Sequence, residues 1–324
     1  MDTCLVTGGA GYIGSHTVAE LSRRGIRTVV VDNLSEGHPE AVLDSPLEEV
    51  DLGDEDGLSR IFEKNHVSGV IHFASLCYVG ESVTNPRVYF EQNLGNALTL
   101  LRAMLRHGVK KFILSSTCAT YGDPIRVPID ESHPQDPVNP YGETKYFIER
   151  ILKDYDRAYG LRFVALRYFN AAGASRDNRL GESHDPETHL IPRVLQVAKN
   201  GGSVDVYGED YQTPDGSCIR DYIHVEDLAT AHVAALEWLD GAKRSDAFNL
   251  GTGHGYSVKE VIETARVVTG RDIPVRIGPR RAGDPPALVA DARKADRILG
   301  WKAAYSELRT IVETAWQWEL KRRY

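Results

Sequence analysis

Tyr141 and Lys145 stand four residues apart in Tyr141-Gly142-Glu143-Thr144-Lys145, downstream of Ser115-Ser116-Thr117. Four residues of helix turn through roughly 400°, so on a shared helix the phenol and the ammonium lie on nearly one face. A cation beside a phenol favours the phenolate and pulls its pKa from about 10 toward neutrality. The expectation is a tyrosine that serves as a general base. An aromatic and a lysine at this spacing are also ordinary helix neighbours, so the pair gains meaning only from its surroundings.

Those surroundings begin at the N-terminus. Residues 3–7 form a short apolar run that breaks at Gly8-Gly9-Ala10-Gly11-Tyr12-Ile13-Gly14, and an apolar-periodic segment follows over 15–24. The pattern predicts strand, glycine turn, helix. Two fingerprints are nested in it, Gly8-x-x-Gly11-x-x-Gly14 and Gly9-x-Gly11-x-x-Gly14. Glycines let the backbone turn tightly and let phosphate oxygens approach the free N–H groups of a helix N-terminus. The next predicted strand, 27–31, ends in Asp32-Asn33. A carboxylate there accepts from both ribose hydroxyls and repels a 2′-phosphate, so NAD is expected over NADP.

Further strands are predicted over 47–52, 69–74, 111–116 and 162–168, with helices over 55–65, 87–107 and 141–159. This alternation predicts an α/β fold with a Rossmann-type doubly wound parallel sheet and ligands at the carboxyl ends of its strands. Gly8, Asp32, Asp51, Ala74 and Thr117 all fall at such ends. From Asn170 onward glycine, proline and charge become denser and strands shorten, to 204–207, 247–250 and 275–277. Helices are predicted over 226–239, 258–269 and 293–299, and a surface turn over 210–216. The expected division is an NAD-binding domain over 1–169 and a smaller mixed α/β substrate domain over 170–324, with part of 218–240 returning to the first.

The 324 residues suffice for a large core or for two domains sharing an interface. A hydrophobic content of 42% and a charged content of 26% are those of an ordinary globular protein. A formal net charge of −8 with no local Lys/Arg run argues against nucleic acid or a membrane surface as partner. No apolar stretch is long enough to span a bilayer, and Met1-Asp2-Thr3-Cys4-Leu5-Val6 has no signal-peptide pattern. Cys4, Cys77, Cys118 and Cys218 show no paired spacing, which predicts a reducing, cytoplasmic compartment without disulfides. His184, Asp185, Glu187 and His189 form a ligand-rich loop, but no second cluster stands at ligand spacing, so no metal is expected.

The chain resembles the extended short-chain dehydrogenase/reductase superfamily, and within it the UDP-glucose 4-epimerase family. The resemblance runs from Val6-Thr7-Gly8-Gly9 to Leu299-Gly300-Trp301. It rests on Gly11-Tyr12-Ile13-Gly14-Ser15-His16, Val31-Asp32-Asn33-Leu34, Val70-Ile71-His72-Phe73-Ala74 and Val79-Gly80-Glu81-Ser82-Val83. Further blocks are Leu166-Arg167-Tyr168-Phe169-Asn170, Arg220-Asp221-Tyr222-Ile223-His224-Val225 and Arg280-Arg281-Ala282-Gly283-Asp284. It implies an NAD-dependent epimerase that interconverts UDP-glucose and UDP-galactose by inverting carbon 4 through a transient 4-keto sugar, with no net redox change. Tyr141 would take the proton of the 4-hydroxyl as hydride leaves carbon 4 for bound NAD. Lys145 would hold the nicotinamide ribose and acidify Tyr141, and Thr117 would hydrogen-bond the 4-oxygen.

The same resemblance implies the rest of the site. Gly8, Gly11, Tyr12, Ile13 and Gly14 would receive the pyrophosphate, Asp32 and Asn33 the adenosine ribose, and Asp51 and Leu52 the adenine. Phe73, Ala74, Ser75 and Ser115 would line the cofactor channel, with Asn93 beside it and Tyr168 against the nicotinamide. Asn170, His189 and Leu190 would meet the UDP-sugar, Val206 and Tyr207 would flank the uracil, and Arg220 with Arg281 would clamp the substrate pyrophosphate. Guanidinium forks suit phosphate oxygens and stay charged. Asp284 would accept from a hydroxyl. A homodimer is also implied, through the apolar faces of 87–107 and 141–159.

Three departures matter. Phe73-Ala74-Ser75-Leu76-Cys77 replaces the Phe-Ala-Gly-Leu-Lys of many members, which removes a cofactor-facing cation and implies weaker cofactor affinity. His189 replaces the usual asparagine. Leu288 occupies a pocket wall of variable size, so N-acetylated and pentose UDP-sugars stay open as substrates. A dehydratase of the superfamily places an acidic pair directly after the active-site threonine, where this chain has Cys118-Ala119. A non-catalytic, NAD-sensing protein on the same fold would have no need of the Thr117, Tyr141 and Lys145 set.

Overall fold

The computed structural model describes residues 3–242, 244–281, 284–305 and 307–324. Its first half alternates β1 (Thr3–Thr7), α1 (Tyr12–Arg23), β2 (Thr28–Asp32), β3 (Leu47–Glu49), α2 (Glu55–Asn65) and β4 (Val67–His72). It continues with α3 (Val79–Thr84), α4 (Pro86–Tyr89), α5 (Asn96–Arg106), β5 (Lys111–Thr117), α6 (Pro140–Tyr159) and β6 (Arg162–Tyr168). The second half opens with β7 (Asn170–Ala172), α7 (Leu190–Asn200), β8 (Val204–Tyr207), β9 (Ile219–Arg220), β10 (Tyr222–His224) and α8 (Val225–Gly241). It ends with β11 (Asp246–Leu250), β12 (Tyr256–Ser257), α9 (Val258–Thr269), β13 (Val275–Gly278), β14 (Ala287–Leu288), α10 (Arg293–Leu299) and α11 (Leu308–Lys321).

Seven strands form one parallel sheet in the order β11-β6-β5-β4-β1-β2-β3. Its central strands are apolar and buried on both faces, as parallel strands covered by helices must be. One face packs on α1 and α8, the other on α2, α5 and α6. Helix α8 is buried around much of its circumference, with Val225, Ala229, Ala231, Val233, Ala235 and Leu236 all in the core. The doubly wound sheet expected from the alternation is present.

Two expectations are corrected. Residues 247–250 were expected to belong to the substrate half; β11 instead pairs with β6 along Asp246–Leu250 and forms an edge of the main sheet. Sequence order hid this, because the chain leaves the sheet at β6 and returns to it only after four short strands, β7 to β10. The helix expected over 87–107 is a helical run from Pro86 to Arg106 interrupted by a π-helical turn at Phe90–Gly95. That wider turn swings Asn93 inward, where its amide holds the Leu76 backbone and the Thr144 hydroxyl. The remaining strands make small sheets, β12-β9-β14, β13-β8 and β10-β7, around a second core in which α7, α9 and α11 meet. Helix α11 had no counterpart in the sequence reading.

Helix α6 is specified locally. Asn139 caps it by accepting from the Gly142 N–H, Pro140 occupies its first turn, and Gly160 ends it in the left-handed region. Its buried face carries Tyr141, Lys145 and Glu149, spaced by four residues. Glu149 meets Arg167 of β6 in a bidentate ion pair whose side chains are only 1% and 4% exposed. Replacing Arg167 by methionine strands the carboxylate in the interior and is expected to cost about 3–5 kcal/mol, measured by urea unfolding. The double replacement Glu149→Leu with Arg167→Met should recover most of that loss.

Candidate active site

The glycine turn follows β1 directly. Gly8 has a φ of 72° and its missing Cβ would lie 2.4 Å from the Ala74 nitrogen, so only glycine fits. A Cβ at Gly14 would lie 2.1 Å from the Gly8 carbonyl oxygen. Gly11 is different: a Cβ there meets only that same oxygen, at 3.4 Å, an ordinary contact. Nothing inside the fold demands glycine at the N-cap of α1. An open cradle over unsatisfied helix N–H groups is what a dinucleotide pyrophosphate needs, so the residues present fit that group.

The adenosine end is pre-arranged. Asp32 accepts from the Ala10 and Leu34 N–H groups at 3.0 and 2.9 Å. Burial raises its pKa and those two bonds oppose the rise. Asn33 donates to Asp51 at 2.7 Å, and Asp51 also accepts from Gly53 at 2.7 Å. Leu52 is core, so only its backbone is available to a base. Ile13 packs against the core beside the turn, and Tyr12 donates to the Gly173 carbonyl at 2.6 Å, tying the turn to the second half. Phe73 and Tyr168 both face the buried His232 ring, at 4.6 and 6.3 Å between centroids.

Thr117 ends β5, and Tyr141 and Lys145 lie on the buried face of α6 beside it. Lys145 does not reach the phenol. Its Nζ donates to Ser75 Oγ and to the Ser115 carbonyl, both at 2.8 Å, and burial brings its pKa down to about 8. The Tyr141 phenol is pushed well above 10, chiefly by burial, with Tyr168 and Cys77 adding to the rise and Thr117 opposing it. The shared helix face thus does not by itself bring the ammonium into a hydrogen bond with the phenol. Shared helix face placed the two groups together, but the serine and the carbonyl, which only tertiary folding supplies, drew the ammonium aside. Thr117 Oγ1 accepts from the Ala119 N–H at 3.1 Å, which leaves its own proton for another oxygen. Ser115 and Tyr168 share a 2.7 Å hydrogen bond between their hydroxyls. Asn93, fully buried, acts on the channel only through the Leu76 segment that it holds.

On the substrate side, Arg220 is mostly buried and held by the Ile219 and Pro285 carbonyls, while Arg281 is 60% exposed and lies 4.8 Å over the Tyr207 ring. Asp284 stands between them, 3.5 Å from Arg220 and 4.0 Å from Arg281. Ala282 and Gly283 of the same block lie outside the described residues. Val206 is corrected: its side chain is 1% exposed in the second core, so Tyr207 alone of that pair presents a side chain outward. Asn170 donates to the Asp221 carbonyl at 3.0 Å. The His189 ring turns its Nδ1 to Glu182 and Glu187, at 2.8 and 3.1 Å, and stays 42% exposed at the entry to α7.

Two features escaped the sequence reading. The Glu149–Arg167 pair also binds Ser116, Gln135 and, through Tyr121, Asn249 of β11. Glu149 continues the four-residue spacing of Tyr141 and Lys145, a signal that was available. Glu182 joins His184, Glu187 and His189 in one cluster, while Asp185 is exposed outside it. Burial works against charge on His184, but Glu182 and Glu187 outweigh it and hold its pKa up at about 9.

A parallel sheet with a glycine cradle after its first strand and a Thr–Tyr–Lys set at its fifth defines a dinucleotide-dependent enzyme. The chain belongs to the NAD dependent epimerase/dehydratase family, whose family model matches residues 4–251. It is 55% identical over 315 residues to a UDP-glucose 4-epimerase of Halalkalibacterium halodurans, across 97% of this chain and 94% of the relative. The crystal structure of UDP-glucose 4-epimerase from Brucella ovis in complex with NAD matches with a TM-score of 0.96 at 52% identity, covering 98% of each chain. That from Bifidobacterium longum in complex with NAD+ and UDP matches with a TM-score of 0.93 at 42% identity, over 99% of this chain and 98% of the other.

The glycine geometry makes a contrasting pair of variants informative. Gly11→Ala should unfold at nearly the parent temperature yet retain far less NAD after gel filtration. Gly14→Ala should lose stability outright, read as a drop in melting temperature.

Proposed function

We propose that this protein interconverts UDP-glucose and UDP-galactose by inverting carbon 4 of the sugar, with NAD as a catalytic rather than consumed cofactor. The observation that carries the reading is the meeting of Thr117, Tyr141 and Lys145 at the same sheet edge as the glycine cradle. It stands in a chain 55% identical to a UDP-glucose 4-epimerase over nearly its full length.

The Gly8–Gly14 turn holds the dinucleotide pyrophosphate and Asp32 its adenosine ribose. When bound, NAD supplies the hydride acceptor for carbon 4 and a positive ring charge near Tyr141. Burial raises the Tyr141 phenol, and a nearby positive charge would favour its phenolate, while the Lys145 ammonium is bonded to Ser75 and the Ser115 carbonyl. Tyr141 then takes the proton of the 4-hydroxyl, while Thr117 donates to the same oxygen and orients it. Arg220 and Arg281 keep the 4-keto sugar attached through its UDP as it turns to present the other face. Tyr141 would give the proton back to the 4-oxygen as the bound cofactor returned the hydride to that face, so oxidation and reduction would cancel. Cys118 and Ala119 offer no carboxylic acid to expel a hydroxyl, so elimination of water does not compete.

Two further readings have their own support. Phe90 and Tyr146 lie 6.3 and 6.2 Å from the Phe147 ring, which is 41% exposed on α6. This aromatic patch supports a homodimer through α6 and the helical run before α5. The four free thiols support a reducing, cytoplasmic location. Among the described residues no helix is long and apolar enough to cross a membrane.

Tyr141→Phe should lower turnover of UDP-galactose by about 10²–10⁴, scored by product identity, while bound NAD is retained. A phenylalanine variant with most of its activity would remove Tyr141 as the base. In sedimentation at micromolar concentration the protein should run as a dimer, and a monomer would refute the pairing.

A further inference from the structure

Behind the glycine cradle, the segment 182–189 folds four potential ligands into one spot: Glu182, His184, Glu187 and His189 each place a donor atom within 4.8 Å of the others. The resolved separations are 3.2 Å from His184 Nδ1 to Glu182 Oε1 and 3.7 Å to Glu187 Oε2. From His189 Nδ1 they are 2.8 Å to Glu182 Oε1 and 3.1 Å to Glu187 Oε1. A tetrahedron of ligands with bonds of about 2.0–2.1 Å has edges of about 3.3 Å; Glu182 Oε1 stands 3.2 and 2.8 Å from the two Nδ1 atoms, and Glu187 turns a different oxygen to each histidine.

A second observation separates the cluster from an ordinary group of acids. The Glu187 side chain is only 4% exposed, yet its Oε2, turned toward His184, has no hydrogen-bond partner. His184 Nδ1 is likewise buried and makes no hydrogen bond, although both carboxylates stand within 4 Å. Buried polar atoms are normally hydrogen-bonded; these two stand only at ion-pair separations, 3.2 Å to Glu182 and 3.7 Å to each other, where one ion could serve both. The surroundings would hold such a partner firmly. The Glu182 carbonyl accepts from Trp318 Nε1 at 2.9 Å, and the His184 ring meets the Tyr78 and Tyr12 rings edge-on, at 6.0 and 6.5 Å. A cleft of about 660 Å³, lined by Leu34, Gly37, His38, Ser183, His184 and Glu187, gives an ion a route in.

We propose that Glu182, His184, Glu187 and His189 bind one divalent transition-metal ion, zinc above all, which fixes the 182–189 segment against Tyr12 and the start of α7. Two nitrogens and two carboxylate oxygens select zinc or cobalt over magnesium and calcium, which prefer all-oxygen shells. No step of the proposed reaction passes through the ion.

The test titrates the full-length, metal-stripped protein with zinc chloride by calorimetry and with cobalt chloride by visible absorption. One equivalent of zinc per chain should bind and survive dialysis, and cobalt should give the strong visible bands of a tetrahedral site. His184→Gln and Glu187→Gln should each weaken zinc binding roughly a hundredfold or more, with thermal melts confirming that both variants fold. The cobalt spectrum of the unaltered protein decides the matter independently of either variant. No saturable equivalent of zinc, cobalt bands of octahedral strength only, or equal zinc affinity in folded variants and parent would overturn the site.

Discussion

Arg167 and Glu149 form the buried charge pair on which the rest of the site depends. Glu149 comes from the helix that carries Tyr141 and Lys145, and Arg167 from the strand that carries Tyr168. Burial alone would protonate the carboxyl. Arg167, with Ser116 and Gln135, outweighs burial and keeps its pKa below the ordinary glutamate value. The same guanidinium donates to Tyr121, whose hydroxyl bonds Asn249 on the edge strand. One connected network thus sets helix α6, strands β5, β6 and β11, and the 121–135 segment relative to one another. Thr117, one residue from Ser116, inherits its position from it. A buried pair of this kind is weak as a source of stability but costly to break, which suits a device that specifies geometry.

Within that frame the electrostatics of the catalytic set are divided. Tyr141 is too buried to ionise unaided, and Lys145 is too buried to be an ordinary lysine. Each is a poised group rather than a finished one. The ammonium is anchored by Ser75 and the Ser115 carbonyl, where a glycine in the position of Ser75 could offer no hydroxyl. The serine that departs from the common family pattern therefore has a visible task, while Cys77, half-buried and with its thiol pKa raised by desolvation, adds no charge to the channel.

The glycine turn shows how one motif can contain two kinds of constraint. Gly8 and Gly14 are fixed by contacts within the fold, as the atoms that a Cβ would strike show. Gly11 is fixed by nothing in the protein and so speaks for a ligand. Tyr12, next to Gly11, reaches across to Gly173 and toward His184, so the glycine turn and the second half of the chain are joined through this side chain.

The alternating apolar runs, the glycine spacing and Asp32 at a strand end determined the sheet and pointed to NAD as cofactor, because these depend on neighbours a few residues apart. Helix α6 and its Tyr141–Lys145 face were legible for the same reason: a cap, a proline and a four-residue repeat are local facts. What only the tertiary structure decided involves partners far apart in the chain. Lys145 turns to Ser75 and not to Tyr141, Val206 points inward, β11 rejoins the sheet after a long excursion, and His189 turns its Nδ1 to Glu182. The physical reason is common to all four. A buried polar or apolar group takes whichever partner the packed chain brings within reach, and no pattern of short-range spacing records which one that is.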